Sequence, residues 1–199
     1  FREALKALGT GGIAVSMMQW ADIQQQRVSI PWMLVADDAS AEAFANAIDN
    51  VPRQFEQGQT AMGHALDFAL KLFPARGFEG QRRVIDVSGD GANNSGQLIT
   101  PTRDDVLAAG ITINGLPIML KRPMNMNMDL ENLDIYYEDC VTGGPGSFVI
   151  PIKERDKFKE ATRTKLVLEI ADRQPEARVI PASSAQPRIS CLIGERMWQ

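Results

Sequence analysis

The chain has 199 residues, of which 44% are hydrophobic and 23% are charged, so it can bury one substantial core as an ordinary globular domain does. Its net charge of -4 comes from interspersed acidic and basic residues, which argues against nucleic acid as a partner. No stretch approaches the ~20 apolar residues that span a bilayer, so we expect no membrane span.

The first elements predicted are the end of a helix and a hairpin. Phe1, Leu5 and Leu8 have helical spacing, and this predicts an upstream segment with room for an export signal. Residues 12–20 (GIAVSMMQW) form an apolar run typical of an inner strand covered on both faces. Residues 27–34 alternate and contain Pro31, which cannot donate to a ladder and therefore indicates an edge strand. The short connection between these two runs predicts an antiparallel pair.

Two amphipathic helices are predicted next. Ser40 is the expected N-cap of the first, which ends before Pro52. The second covers residues 61–73, and His64 falls on its polar stripe, so we interpret this histidine as a solvated surface residue.

The middle of the chain alternates strands and helices in the order typical of a parallel α/β sheet. A strand over residues 83–88 (RVIDVS) leads into a glycine-rich loop, and a helix over residues 103–109 ends at Gly110 before a strand over residues 111–118.

The remaining elements are predicted less regularly. They are a loop at 121–129, whose Met124, Met126 and Met128 offer an adaptable contact surface, a helix at 130–140, a turn at 143–146, a strand at 148–150 and a closing helix at 156–171. We expect residues 1–171 to form one α/β domain and residues 172–199 a Pro-rich tail packed on it.

The two cysteines, Cys140 and Cys191, lie in the domain and in this tail. An exported protein would pair them in a disulfide, whereas two unrelated buried thiols remain the alternative.

Oxygen ligands for a cation are predicted at two positions. Asp90 follows the strand in VIDVSGDGANN, at the carboxyl edge where open α/β folds bind ligands. Thr60 ends a short loop that enters the second helix, which places its hydroxyl at the same edge. Mg²⁺ and Ca²⁺ prefer such hard oxygens. The plainer alternatives are a turn residue for Asp90 and a helix N-cap for Thr60.

Neighbouring polar residues are assigned supporting roles. Ser88 and Asn93 are expected to support the metal loop from behind the ligands, although Asn93 and Asn94 equally suit a turn. Asp86 lies inside the strand and is expected to be structural, accepting hydrogen bonds from a neighbouring loop. We expect no catalytic residue.

These motifs together resemble a von Willebrand factor type A (vWA) domain. The resemblance rests on the order of elements and on four motifs. These are SGDG at the strand end, QTAMGHAL at the loop-helix junction, AAGITINGLPI at the next helix-strand step and the closing GGPGSFVI. The phrases RRVIDVSGDG, DCVTGGPG, KLVLEIA and CLIGERMW are similar to an uncharacterised bacterial branch of that superfamily. The resemblance covers nearly the whole chain.

It implies a three-layer, doubly wound, mostly parallel sheet of Rossmann-like kind with one antiparallel edge strand. It also implies a metal-ion-dependent adhesion site for Mg²⁺ or another divalent cation, in which Thr60 matches the second loop of such sites and Asp90 the third.

One part of the family pattern is missing. The Asp-x-Ser-x-Ser loop of vWA domains occurs nowhere in the sequence. In such domains it follows a central strand, which here would precede Phe1. The resemblance therefore implies an incomplete site, and a gap in the sheet between the strands at 12–20 and 83–88.

The function expected is a non-enzymatic binding module, periplasmic or secreted, that holds a protein partner through a carboxylate on the bound metal. The alternatives are a metal-assisted hydrolase using Asp86 and Asp90, and a structural component of an envelope complex.

Overall fold

The computed structural model describes residues 12–55, 58–73, 77–78, 80, 82–120, 130–170 and 187–197, with the backbone alone for 166–170. In chain order, the elements are β1 (Ile13–Trp20), β2 (Gln26–Val35), α1 (Asp38–Asp49), α2 (Met62–Leu72), β3 (Val84–Gly89), α3 (Ile99–Ala108), β4 (Thr112–Pro117), α4 (Leu133–Tyr136) continued by a π-helical turn (Tyr137–Val141), α5 (Phe158–Ile170) and α6 (Ile193–Met197).

The predicted hairpin is present. β1 and β2 pair antiparallel from Ile13 opposite Val35 to Trp20 opposite Gln26. β1 is half-buried along its whole length, so the prediction of a strand covered on both faces is not met. Within the described residues its ladder neighbour is β2 alone, and one edge of β1 is thus left without a strand beside it.

The first helix begins earlier than predicted. Its N-cap is Asp37, whose carboxylate accepts a hydrogen bond from the Ser40 backbone N–H at 2.8 Å. The Ser40 hydroxyl accepts in return from the Asp37 N–H at 3.0 Å, which completes a capping box. The hydrogen bonds from Ser40 lower the pKa of Asp37. Ser40 is therefore the third helical residue rather than the cap.

β3 and β4 form a parallel pair in register from Val84 with Thr112 to Gly89 with Pro117. The connecting α3 starts at Ile99, four residues before the predicted start, and ends before Gly110, whose φ of +71° suits glycine. The predicted strand at 148–150 appears as parallel bridges at Val149 and Ile152. The Ile150 and Ile152 N–H groups donate to the Gly115 and Pro117 carbonyls at 3.0 and 2.9 Å, whereas Pro117 of β4 has no N–H to donate in return, so the ladder is incomplete.

The main core lies against the face of this sheet that carries Ile85, Val87 and Ile113, between α2, α3 and the π-helical turn. The predicted helix at 130–140 is shorter and changes pitch, because the Thr142 N–H bonds to the Tyr137 carbonyl at 2.9 Å. A smaller cluster packs α1 on β2 through Ile30, Val35, Ala41 and Phe44. The closing helix is present as α5.

The described end of the tail, residues 187–197, is attached to the domain at several points. Cys140 and Cys191 form a disulfide with a Cα separation of 5.4 Å, as predicted. The Arg188 guanidinium pairs with Glu138 and Asp139, each at 2.6 Å. The predicted domain boundary at 171–172 and the predicted loop at 121–129 lie outside the described residues.

Candidate functional site

The candidate site lies where β1 and β3 both end, and two short loops meet there. Asp90 follows β3 directly and is exposed, as is Ser88. The loop that carries Thr60 lies beside the end of β1, because the Ala61 N–H donates to the Ala21 carbonyl at 2.8 Å. The ends of both strands and the start of α2 therefore border one edge of the molecule.

A reciprocal pair of hydrogen bonds joins the two loops. The Thr60 N–H donates to Asn94 Oδ1 at 2.7 Å, and the Asn94 N–H donates to the Thr60 carbonyl at 3.0 Å. A Cβ added at Gly91 would lie 3.1 Å from Thr60 Oγ1, so the threonine hydroxyl faces the residue that follows Asp90. Glycine at position 91 allows this close approach. The structure thus brings Thr60 and Asp90 to the same edge.

Asn93 is the buried anchor of the Asp90 loop. It is 0% exposed, and its Oδ1 accepts from the Gly63 N–H at 3.0 Å. Its amide nitrogen donates to the Gln97 carbonyl at 3.1 Å and to Glu195 Oε1 at 2.7 Å. Its backbone N–H donates to the Tyr136 hydroxyl at 3.2 Å. Asn93 therefore links the loop to α2, α4 and α6 and points away from solvent.

Two buried tyrosines, Tyr136 and Tyr137, lie on the buried side of the candidate site. Burial raises the pKa of Tyr136, and the Glu195 carboxylate adds to this rise, although the hydrogen bond from Asn93 opposes it. Burial also raises the pKa of Tyr137, with contributions from Tyr136 and Asp90. The Tyr137 hydroxyl makes no hydrogen bond to the described residues. It lies 2.9 Å from the position of a Cβ on Gly89, beside the Trp20 ring.

Other residues singled out from the sequence have structural contacts. Asp86 forms an ion pair at 2.5 Å with the buried Lys165 of α5, so its partner is a helix rather than the predicted loop. His64 is half-buried, and its Nδ1 accepts from the Gln97 N–H at 3.1 Å, so it is not simply a solvated residue.

Sequence reasoning did not identify two contributors to this edge. Asp22, in the β1–β2 turn, accepts hydrogen bonds from the Ser95 hydroxyl at 3.1 Å and the Ile23 N–H at 2.7 Å, and so joins the hairpin to the loop after Asp90. Its place in a turn after an apolar strand was the available signal. Glu195 offered no signal, since it is 102 residues from Asn93 along the chain.

The donor set suits part of a hard-cation site. The Thr60 hydroxyl and the Asp90 carboxylate are oxygen donors of the kind that Mg²⁺ and Ca²⁺ prefer. The described residues contain no group of three or more His, Cys, Asp or Glu placed to hold a metal ion. The two oxygens therefore fit as members of a larger ligand set.

Solved structures place the chain among vWA-like α/β proteins. Proximal thread matrix protein 1 (PTMP1) from the mussel byssus matches with a TM-score of 0.60 and 17% identity, over 85% of this chain and 40% of that one. A von Willebrand factor type A protein from Catenulispora acidiphila matches with a TM-score of 0.54 and 15% identity, over 85% of this chain and 36% of that one. The protein BatB from Bacteroides thetaiotaomicron matches with a TM-score of 0.50 and 14% identity, over 86% of this chain and 84% of that one. This chain thus spans less than half of the first two proteins.

The sequence matches the family described as "Protein of unknown function (DUF1194)" over residues 1–174. The chain belongs to the DUF1194 family. No functionally curated protein matches it significantly. Among the described residues, no helix is both long and apolar enough to cross a membrane.

Proposed function

We propose that this protein is a non-enzymatic binding module that recognises a protein partner through a divalent cation held at the Thr60–Asp90 edge. The observation that carries the proposal is the double hydrogen bond between Thr60 and Asn94, with the Thr60 hydroxyl against Gly91. These contacts hold the loop of Thr60 against the loop of Asp90, and in our proposal the hydroxyl and the carboxylate bind the same cation. A cation with so few protein ligands retains water, which a partner's carboxylate displaces.

The proposed site is completed by a strand from outside the described residues, inserted between β1 and β3. The sheet is then the doubly wound, mostly parallel type, with β2 as its antiparallel edge. Two features support this. β1 and β3 are not paired with each other, and the buried Tyr137 hydroxyl, which lacks a partner in the described residues, lies between the ends of these strands. Buried hydroxyls are rarely left unpaired, and an added strand supplies an acceptor.

The likeness to PTMP1 supports a metal role. One structure of that protein has a "zinc occupied MIDAS motif", where MIDAS denotes a metal-ion-dependent adhesion site; it matches this chain with a TM-score of 0.53 and 17% identity. In our proposal, Ser88 and Asn93 support the metal loop, Asn93 through its buried contacts and Ser88 from the strand end. The resident cation is Mg²⁺ or a similar divalent ion.

Two contacts favour binding over hydrolysis. A metal-assisted hydrolase needs a positioned base or nucleophile near the metal. Asp86, the first alternative for that role, forms its ion pair with Lys165, and the imidazole of His64 accepts a hydrogen bond from the Gln97 backbone. Both side chains are therefore engaged in structural contacts.

The proposed location is the periplasm or the outside of the cell. The Cys140–Cys191 disulfide carries this proposal, since such bonds persist in oxidising compartments and are rare in the cytosol.

The metal site is tested by calorimetric titration of the full-length protein with Mn²⁺ and Mg²⁺. We expect Asp90→Asn to weaken affinity at least ~10-fold, because it removes a ligand charge, which corresponds to about 1.4 kcal/mol. Thr60→Val keeps the side-chain shape, removes the hydroxyl and is expected to weaken affinity roughly fivefold, about 1 kcal/mol. The matched control is Asp67→Asn, which changes a half-buried carboxylate of α2 that pairs with Lys71. Equal affinities in all four proteins would contradict the proposed site.

The partner role is tested on crosslinked complexes from native envelopes. EDTA or Mg²⁺ is added before the crosslinker, and capture of a partner is expected to be lost in EDTA, restored by Mg²⁺, and absent in Asp90→Asn even with Mg²⁺. A partner retained equally in EDTA would instead indicate a structural component of an envelope complex. Hydrolysis of phosphate or carboxylate esters that disappears in Asp90→Asn would indicate the enzyme.

A further inference from the structure

The C-terminal segment 187–197 packs against the buried side of the loop that carries Asp90. Gly194 packs so closely on the Asp90 loop that a Cβ there would lie 2.0 Å from the Asn93 carbonyl oxygen. Glu195 follows, and its Oε1 accepts from the Asn93 amide at 2.7 Å. The disulfide at Cys191 and the ion pairs of Arg188 hold the segment in place. The segment thus contacts both the backbone and the side chain of Asn93.

The hydrogen-bond capacity of Asn93 explains why Glu195 matters. A carboxamide has two N–H donors and one carbonyl oxygen. In Asn93 the oxygen accepts from Gly63, one N–H donates to the Gln97 carbonyl, and the other donates to Glu195. Because Asn93 is 0% exposed, this N–H is shielded from solvent while Glu195 is in place. Removing the Glu195 carboxylate therefore leaves a buried donor unpaired, which favours rearrangement of the loop.

We infer that Glu195 is a positioning residue for the cation site, and that the C-terminal segment fixes the loop of residues 90–97 through Asn93. This inference rests on the proposed function for the role of the loop. Asn93 is three residues from Asp90 and next to Asn94, which holds Thr60. A shift of Asn93 consequently moves both proposed ligands relative to each other. We assign Glu195 to the support of Asn93 rather than to the cation, since its Oε1 accepts from the buried amide and its Oε2 is also buried.

The inference predicts different outcomes for two substitutions at one position. Glu195→Gln keeps a carbonyl oxygen that accepts from Asn93, whereas Glu195→Ala removes the acceptor. In the full-length protein we expect Glu195→Ala to weaken Mn²⁺ affinity about fivefold to tenfold and to raise amide hydrogen exchange in residues 90–97 by a similar factor. Glu195→Gln is expected to stay within about twofold of the unsubstituted protein in both measurements, because the hydrogen bond rather than the charge holds the loop.

Arg188→Ala is the matched control, since it removes a tail contact to Glu138 and Asp139 without touching Asn93. It is expected to leave exchange in residues 90–97 unchanged, because the Cys140–Cys191 disulfide, which lies closer to Glu195, still holds the segment. Loop exchange and affinity that are unchanged in Glu195→Ala would overturn the inference, and so would equal losses in Glu195→Gln and Glu195→Ala. If the unsubstituted protein binds no Mn²⁺, the proposed function fails, and hydrogen exchange alone then decides whether Glu195 holds the loop.

Discussion

Reduction of the Cys140–Cys191 disulfide is expected to lower the free energy of unfolding by about 4 kcal/mol. The bond joins residues 51 apart in sequence, and a loop of that length gives about this value in the chain-entropy model. We expect the lower stability to appear as a shift of one cooperative unfolding transition, because Cys140 is completely buried in the main core and Cys191 packs against it. Urea unfolding with and without a thiol reductant measures the difference.

A double variant, Cys140→Ser with Cys191→Ser, controls for effects of the reductant. Its unfolding midpoint is expected to lie near that of the reduced protein and to be insensitive to the reductant. A reductant-dependent loss below ~1 kcal/mol in the unsubstituted protein would show that the ion pairs of Arg188 and the apolar contacts of the tail hold it without the disulfide.

Gly194→Ala is expected to destabilise the protein although alanine favours a helix. The gain from helix propensity in α6 is about 1 kcal/mol. The opposing effect is a steric clash, because the new Cβ would lie 2.0 Å from the Asn93 carbonyl oxygen and 2.8 Å from the Asn93 carbonyl carbon. Both are backbone atoms, so rotation of a side chain cannot relieve the clash. Overpacking of this kind costs about 3 kcal/mol, so we expect a net loss of about 2 kcal/mol in urea unfolding.

Leu192→Ala is a suitable comparison, since Leu192 is 38% exposed and lies two residues earlier in the same segment. Its effect is expected to stay within about 0.5 kcal/mol, as for ordinary surface positions. If Gly194→Ala were instead more stable than the unsubstituted protein, the close packing of α6 on the Asp90 loop would be wrong.

Most of the regular elements were predictable because their patterns are local. The hairpin follows from an apolar run, a short connection and an alternating strand with Pro31, and β3, α3 and β4 follow from apolar strands separated by a helix that ends at Gly110. Errors occurred where a neighbouring residue changed the local outcome. Asp37 rather than Ser40 caps α1, and Pro117 of β4, which has no N–H to donate, limits the predicted strand at 148–150 to bridges.

The candidate site was predictable in part. A carboxylate after a parallel strand and a hydroxyl before a helix both fall at the same sheet edge, so the proximity of Asp90 and Thr60 follows from chain direction. Their roles as ligands remain a prediction. The roles of Asn93, Asn94 and Glu195 were not predictable in detail, because each depends on contacts between segments far apart in sequence.

The sequence by itself determined the order of most strands and helices and indicated the vWA-like α/β class, whereas it left the state of its two cysteines open and the structure shows them paired. The order and the class follow from periodicity, turn chemistry and motif, which act over a few residues or are carried by recognisable phrases. Only the tertiary structure decided that the tail reaches beneath the Asp90 loop, and that Lys165 pairs with Asp86. Such contacts depend on which buried polar groups meet when distant segments pack, and a buried group takes whichever partner the fold brings within hydrogen-bonding distance.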